Sequence, residues 1–167
     1  MRVIIHDLCE QEFAAFNLGP DTNTTVISDN GKIHNCIGCF GCWVKSPGTC
    51  VLKDGYQNMG ELLSKCDELI IISKCIYGSY SPFVRNVLDR SISYLLPYFV
   101  TKKGETHHQK RYDHNFSLAV HFYGSDITPA EKTASEALVK ANSVNLYSTG
   151  NKVYYYIDPQ KIKEGLL

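Results

Sequence analysis

Short, β-branched apolar runs recur along this 167-residue chain, and stretches with helical spacing separate them. Val3-Ile4-Ile5, Thr24 to Ser28, Leu69 to Ile72, Phe116 to Tyr123 and Val153 to Ile157 read as five strands. Continuous apolar runs such as Leu69-Ile70-Ile71-Ile72 suit strands covered on both faces, as in parallel sheets. Between them, Asp7 to Leu18, Asp54 to Cys66, Pro82 to about Leu96 and Thr128 to Asn145 carry helical patterns. Asp54 with Gln57, and Thr128 with Glu131, have capping-box spacing, and Ser81-Pro82 is a cap followed by proline at the first helical position. Gly19-Pro20-Asp21 reads as a turn. On the last helix the small residues Ala134, Ala137 and Ala141, with Leu138, read as the inner face.

Alternating strands and helices predict an α/β three-layer sandwich with a five-stranded parallel sheet in the flavodoxin-like order 2-1-3-4-5, one domain over residues 1–167. In that order the ligand crevice lies at the carboxyl ends of strands 1 and 3, where the winding reverses. The loops expected there are Asp7 to Cys9, Lys74 to Ser81 and Tyr123 to Asp126. The loop after strand 2 is expected at the same end.

That loop carries Cys36-Ile-Gly-Cys39-Phe-Gly-Cys42-Trp43, then Cys50: four of the seven cysteines, spaced C-x2-C-x2-C-x7-C. The apolar fraction of 44% and charged fraction of 20% are ordinary for a globular protein, and basic and acidic residues balance. No global field attracts nucleic acid or anionic membrane, no signal-peptide pattern is present, and no apolar run reaches the roughly 20 residues of a membrane span. A cytoplasmic protein is expected, so thiols, metal ligands or redox groups are expected before a disulfide framework. At Cys36, Cys39, Cys42 and Cys50 several chemistries remain open: an iron–sulfur cluster, a zinc site, a redox pair such as Cys39 and Cys42, or small residues packed beneath Trp43.

Cys75-Ile76-Tyr77-Gly78-Ser79-Tyr80-Ser81, with Tyr123 and Gly124, is the candidate ligand site. Its aromatic faces suit a planar ring, and its amides and hydroxyls suit a polar edge. The segment after strand 1 is different in character. Asp7-Leu8-Cys9-Glu10-Gln11-Glu12 has no glycine, no hydroxyl and three carboxylates, so a phosphate dianion would meet repulsion there. The amides of Ser79 to Ser81, or a partner subunit, are alternative phosphate donors. Residues 98 to 115 lack apolar periodicity and read as a long loop whose His107, His108 and His114 are solvated. His6 and His121 read as satisfied core histidines, Asp89-Arg90 as a structural charge pair, and Tyr154 to Tyr156 as packing or interface.

Taken together, the Cys36 to Trp43 motif, Asp54, Asp67-Glu68-Leu-Ile-Ile-Ile, Tyr77-Gly-Ser-Tyr-Ser and Asp89-Arg90 resemble the NADPH-dependent FMN reductase and iron–sulfur flavoprotein superfamily over roughly residues 30 to 125. The resemblance implies the flavodoxin-like fold, FMN at the strand ends with Cys75 to Ser81 at the flavin ring, and dimers or larger homo-oligomers. It also implies a [4Fe–4S] cluster on Cys36, Cys39, Cys42 and Cys50. The expected function is that of an NAD(P)H oxidoreductase or an electron carrier serving a small redox partner. The alternative is a domain of this fold that has lost FMN and works as a metal-binding, thiol-redox or interaction module.

Overall fold

A computed structural model describes residues 1–18 and 22–163. The turn expected at Gly19-Pro20-Asp21 lies outside the described residues. Five parallel strands form the main sheet: β1 (Arg2–His6), β2 (Thr24–Ser28), β3 (Glu68–Lys74), β6 (Ser117–Tyr123) and β7 (Gly150–Tyr156), in the order β2-β1-β3-β6-β7. This is the expected order, with a two-stranded hairpin, β4 (Leu95–Lys102) and β5 (Glu105–Lys110), inserted before the fourth strand of the sheet.

Side-chain alternation assigns the two faces. Val3, Ile5, Leu69, Ile71, Leu118, Val120 and Phe122 pack beneath α3 (Met59–Ser64), α4 (Pro82–Arg90) and α5 (Pro129–Asn145), through Met59, Leu63, Val84, Val87 and Val139. Ile4, Ile70 and Ile72 point the other way, onto Leu8, Phe16 and Ile162. That second face is thinly covered, by the five-residue α1 (Glu10–Ala14) and a 3-10 turn at Pro159–Ile162. Ile162 is fully buried, so the 3-10 turn beyond the last strand helps to close the core.

Several local expectations give way to tertiary contacts. The helix expected from Asp54 is confined to Met59–Ser64. Asp54 does not cap it, because its carboxylate is taken by Arg90 and by the Tyr56 and His34 amides. The helix expected to reach Leu96 stops at Arg90 and tightens to a 3-10 turn at Ser91–Tyr94. Leu95 then opens the hairpin, whose turn is Lys103-Gly104, both with positive φ. Two left-handed residues in sequence match the twist of paired strands. α5 turns Ser135, Val139 and Ser143 inward, not the alanines. The Ser135 hydroxyl lies 2.7 Å from the Tyr155 hydroxyl, so the polar face is satisfied.

Candidate functional site

At the winding reversal the ends of β1, β3 and β6 are tied by one carboxylate. Asp7 accepts the Lys74 amide on Oδ2 at 2.9 Å and the Tyr123 hydroxyl on Oδ1 at 3.0 Å. Its own amide donates to the Ile72 carbonyl. Burial, then the charge of Asp7, push the Tyr123 phenol far above its ordinary range. Two residues on, the Glu12 carboxylate accepts the Cys9 amide at 2.9 Å, so the start of α1 already holds an internal anion.

The loop after β3 is a tight reversal. Ile76 and Ser79 exchange backbone hydrogen bonds, and Tyr77 and Gly78 between them have φ of +51° and +72°. A tyrosine in the left-handed region is uncommon. Here it leaves the Tyr77 ring 91% exposed at the rim. Gly78 has a clear steric reason: a Cβ there would lie 2.8 Å from Ala134 Cβ and 2.9 Å from the Glu131 carbonyl of α5.

The other candidate residues divide between the rim and the scaffold. Tyr80 is buried, stacks on Phe122 with ring centroids 5.4 Å apart, and accepts from Asn142 Nδ2 at 3.2 Å. Ser81 caps α4, and its amide donates to the Ser73 hydroxyl. The Cys75 and Gly124 amides bond the Tyr123 and Tyr156 carbonyls. Burial raises the Cys75 thiol.

The cysteine loop packs along α4 toward its C-terminal end, away from the Ser81 cap. Cys36, Cys39, Cys42 and Cys50 all line one cavity of about 480 Å3, closed by Leu88 to Ile92, Leu95 and the end of α5. None of Cys75 to Ser81 lines it. The loop therefore does not share the rim of the other three. Gly41 starts the short helix α2 (Gly41–Val44) where a Cβ would meet Val51 Cγ1 at 2.5 Å. Trp43 Nε1 donates to the Leu95 carbonyl at 2.9 Å. Rings follow one another from the loop to the hairpin: Phe40 to Trp43 at 5.5 Å, Trp43 to His108 at 4.9 Å, and His108 to Phe99 at 4.9 Å.

Cys36 and Cys39 are exposed, Cys42 is half-buried and Cys50 is buried. Burial, followed by the neighbouring Cys50, Cys36 and Cys39, raises the Cys42 thiol. Among the described residues no three His, Cys, Asp or Glu side chains converge on a point that would hold a single metal ion.

Arg90 anchors this loop, and no local pattern singled it out with its partner. Its guanidinium donates to the His34 and Leu52 carbonyls and to both oxygens of Asp54, not to Asp89. Nor are His107, His108 and His114 simply solvated. His108 sits in the aromatic series, His107 Nδ1 lies 2.9 Å from Asn145 Oδ1, and His114 Nε2 lies 2.7 Å from the Cys66 carbonyl. The core histidines also differ from expectation in one case. His121 bonds Tyr156, whereas neither ring nitrogen of His6 has a partner.

The architecture is that of a flavodoxin-like α/β protein. No family model matches the chain, and no curated protein does. Solved structures do match. An NAD(P)H:quinone oxidoreductase from Methanothermobacter marburgensis superposes with a TM-score of 0.57 over 100% of this chain and 99% of its own, at 11% identity. An FMN-dependent NADH-azoreductase from Bacillus anthracis, in complex with FMN, has a TM-score of 0.53 at 7% identity, covering 98% and 92% of the two chains. General stress protein 14 from Treponema denticola, also in complex with FMN, has a TM-score of 0.51 at 11% identity, covering 99% and 90%. At these identities the likeness is one of fold.

Proposed function

We propose that the chain is a flavodoxin-like redox protein, an oxidoreductase or electron carrier that works on a flavin, with NAD(P)H or a small redox partner as the source of electrons. The observation that carries this reading is the Tyr77-Gly78 turn. It holds an aromatic ring in an uncommon backbone conformation, almost fully exposed, at the switch point of the sheet. Full-length likeness in fold to an FMN-dependent NADH-azoreductase and to an NAD(P)H:quinone oxidoreductase supports it.

The residues fit the two ends of FMN unequally. The Tyr77 ring and the Ser79 hydroxyl suit an isoalloxazine ring. The phosphate lacks a cradle: Asp7, Glu10 and Glu12 stand where donors are needed, and the Cys9 amide is already bound by Glu12. No step is therefore assigned to a phosphate-anchored flavin.

The four cysteines form part of the same proposal. They line one cavity, and in this reading they hold a [4Fe–4S] group. Such a group would supply one-electron transfer when bound, and Cys36, Cys39, Cys42 and Cys50 would hold it. The exposed apolar side chains Ile37, Phe40, Val44, Tyr98 and Phe99 suit pairing with a second copy of the chain.

The Asp7 geometry favours a second reading, in which the domain takes no flavin and acts through its thiols, a metal or a protein partner. Anaerobic purification separates the two. Under the first reading the protein shows a flavin absorption band as isolated or shifts the band of added riboflavin or FMN, with iron and sulfide in equal amounts if the cluster is present. If the isolated protein carries no flavin and shifts the band of neither added compound, the second reading stands.

A further inference from the structure

The same rim that suits a flavin ring repels the usual phosphate, and the two facts together specify a ligand. Where the flavodoxin-like fold ordinarily receives an anion, after β1, this chain has supplied its own. The Asp7 carboxylate occupies the Lys74 amide and the Tyr123 hydroxyl, two donors at the strand ends. Glu12 occupies the Cys9 amide at the start of α1. The helix is only five residues long, with Glu10 and Glu12 in its first turn. Lys74 ends β3, and the Arg85 guanidinium of α4 reaches the Ser79 hydroxyl at 3.5 Å and the Tyr80 carbonyl at 3.3 Å, against the three carboxylates Asp7, Glu10 and Glu12 on the β1 side. The negative charge is felt locally: after burial, Asp7 and, more weakly, Glu12 help to raise the Tyr123 phenol.

Resting on the flavin reading above, we infer that this site selects a flavin without its 5′-phosphate, and that Asp7, Glu10 and Glu12 are the specificity-determining residues that turn FMN away. The ligand class is a neutral flavin such as riboflavin. A dianion placed near this group is opposed at every oxygen, whereas the neutral ribityl chain is not. Its hydroxyls can donate to the same carboxylates that repel phosphate.

Competing titrations of the full chain with riboflavin and with FMN, followed by quenching of flavin fluorescence at low salt, test this. Riboflavin is expected to bind about tenfold or more tightly than FMN, the scale of one unit-charge repulsion across a partly solvated site. Added salt should narrow the difference, because surface charges are screened. The Glu10→Gln/Glu12→Gln variant should bind FMN several-fold better and narrow the ratio of riboflavin to FMN affinity. Glutamine keeps an acceptor for the Cys9 amide, so the helix start survives. Asp7→Asn, checked for folding by circular dichroism, should add to the gain. FMN binding as tightly as riboflavin to the wild-type chain overturns the inference and leaves the flavin reading intact. A preference for riboflavin that neither variant narrows overturns the role given to the carboxylates. Failure of both flavins to bind removes the flavin reading itself, and the inference with it.

Discussion

Arg90 and Asp54 meet as a buried, two-pronged ion pair: Nη1 to Oδ2 at 2.7 Å and Nη2 to Oδ1 at 2.9 Å, with side chains 0% and 4% exposed. The pair joins the end of α4 to the segment that follows the cysteine loop. Two further Arg90 bonds, to the His34 and Leu52 carbonyls, hold both ends of that loop. The guanidinium is thus the post on which the Cys36 to Cys50 segment is strung. Fork geometry is what lets one side chain serve four acceptors.

Arg90→Met leaves the Asp54 carboxylate buried without its cation. It should lower stability by about 3–5 kcal/mol. Urea unfolding followed by circular dichroism measures this, and proteolysis should then cut first within residues 34 to 54. The Asp54 carboxyl is held far below its ordinary value of 3.8, first by the Arg90 hydrogen bonds. Its pKa is depressed on folding, so its contribution is present above pH 4 and is lost as the pH falls below that. Asp54→Asn should therefore destabilise the protein at neutral pH and flatten the acid limb of its stability profile.

A second pH dependence comes from the thinly covered face. His6, Ile72, His121 and Tyr154 are neighbours in register across four strands. His6 is 2% exposed and His121 1% exposed, and burial lowers each ring from 6.5 to about 4. Both rings are neutral in the folded protein at pH 6, while the unfolded chain takes up protons. Stability is complete above pH 6.5 and should fall between 6.5 and 4, by on the order of 3 kcal/mol per ring. His6→Phe keeps an aromatic ring against Phe13, which stacks on His6 with centroids 3.9 Å apart. That variant should lose about half of the slope in this window, measured as urea midpoint against pH. An unchanged slope would show that His6 does not titrate on unfolding.

The thiols should react in an order set by burial. Cys9, Cys36 and Cys39 are exposed, whereas Cys50 and Cys66 are buried. The Cys66 thiol is also pushed up to about 11 by its burial. Iodoacetamide at pH 8, read by peptide mass spectrometry, should label the exposed three in the native protein and Cys50 and Cys66 only in urea. Trp43 is the only tryptophan and lines the same cavity as Cys36 and Cys39. Its emission should shift as those two are alkylated. Early labelling of Cys66 would show that the core beneath β1 and β3 opens more readily than its packing implies.

The legible parts of this molecule are those whose signals are local. Continuous apolar runs located β1, β3 and β6, because a strand buried on both faces needs apolar residues at every position. Ser81-Pro82 and Thr128-Pro129 marked the starts of α4 and α5, because a cap needs only its own next three residues. The hairpin of β4 and β5 escaped because it stands outside the main sheet. Its strands are mostly half-buried, with Leu95 alone fully covered, so they carry no apolar alternation, and Lys103-Gly104 was the one available cue.

By itself, the sequence determined the order of the elements, the doubly covered parallel sheet, the cysteine spacing and the acidic, glycine-free segment after β1. All of these follow from residue type at short range. Only the tertiary structure decided what those segments meet. Asp54 faces Arg90 across 36 positions, and Asp7 reaches Tyr123 across 116. A local capping signal at Asp54 loses to a buried guanidinium, because a charge removed from water needs its counter-charge more than a helix end needs its cap. For the same reason Asp7, at the strand ends, turns to the nearest donors, the Lys74 amide and the Tyr123 hydroxyl.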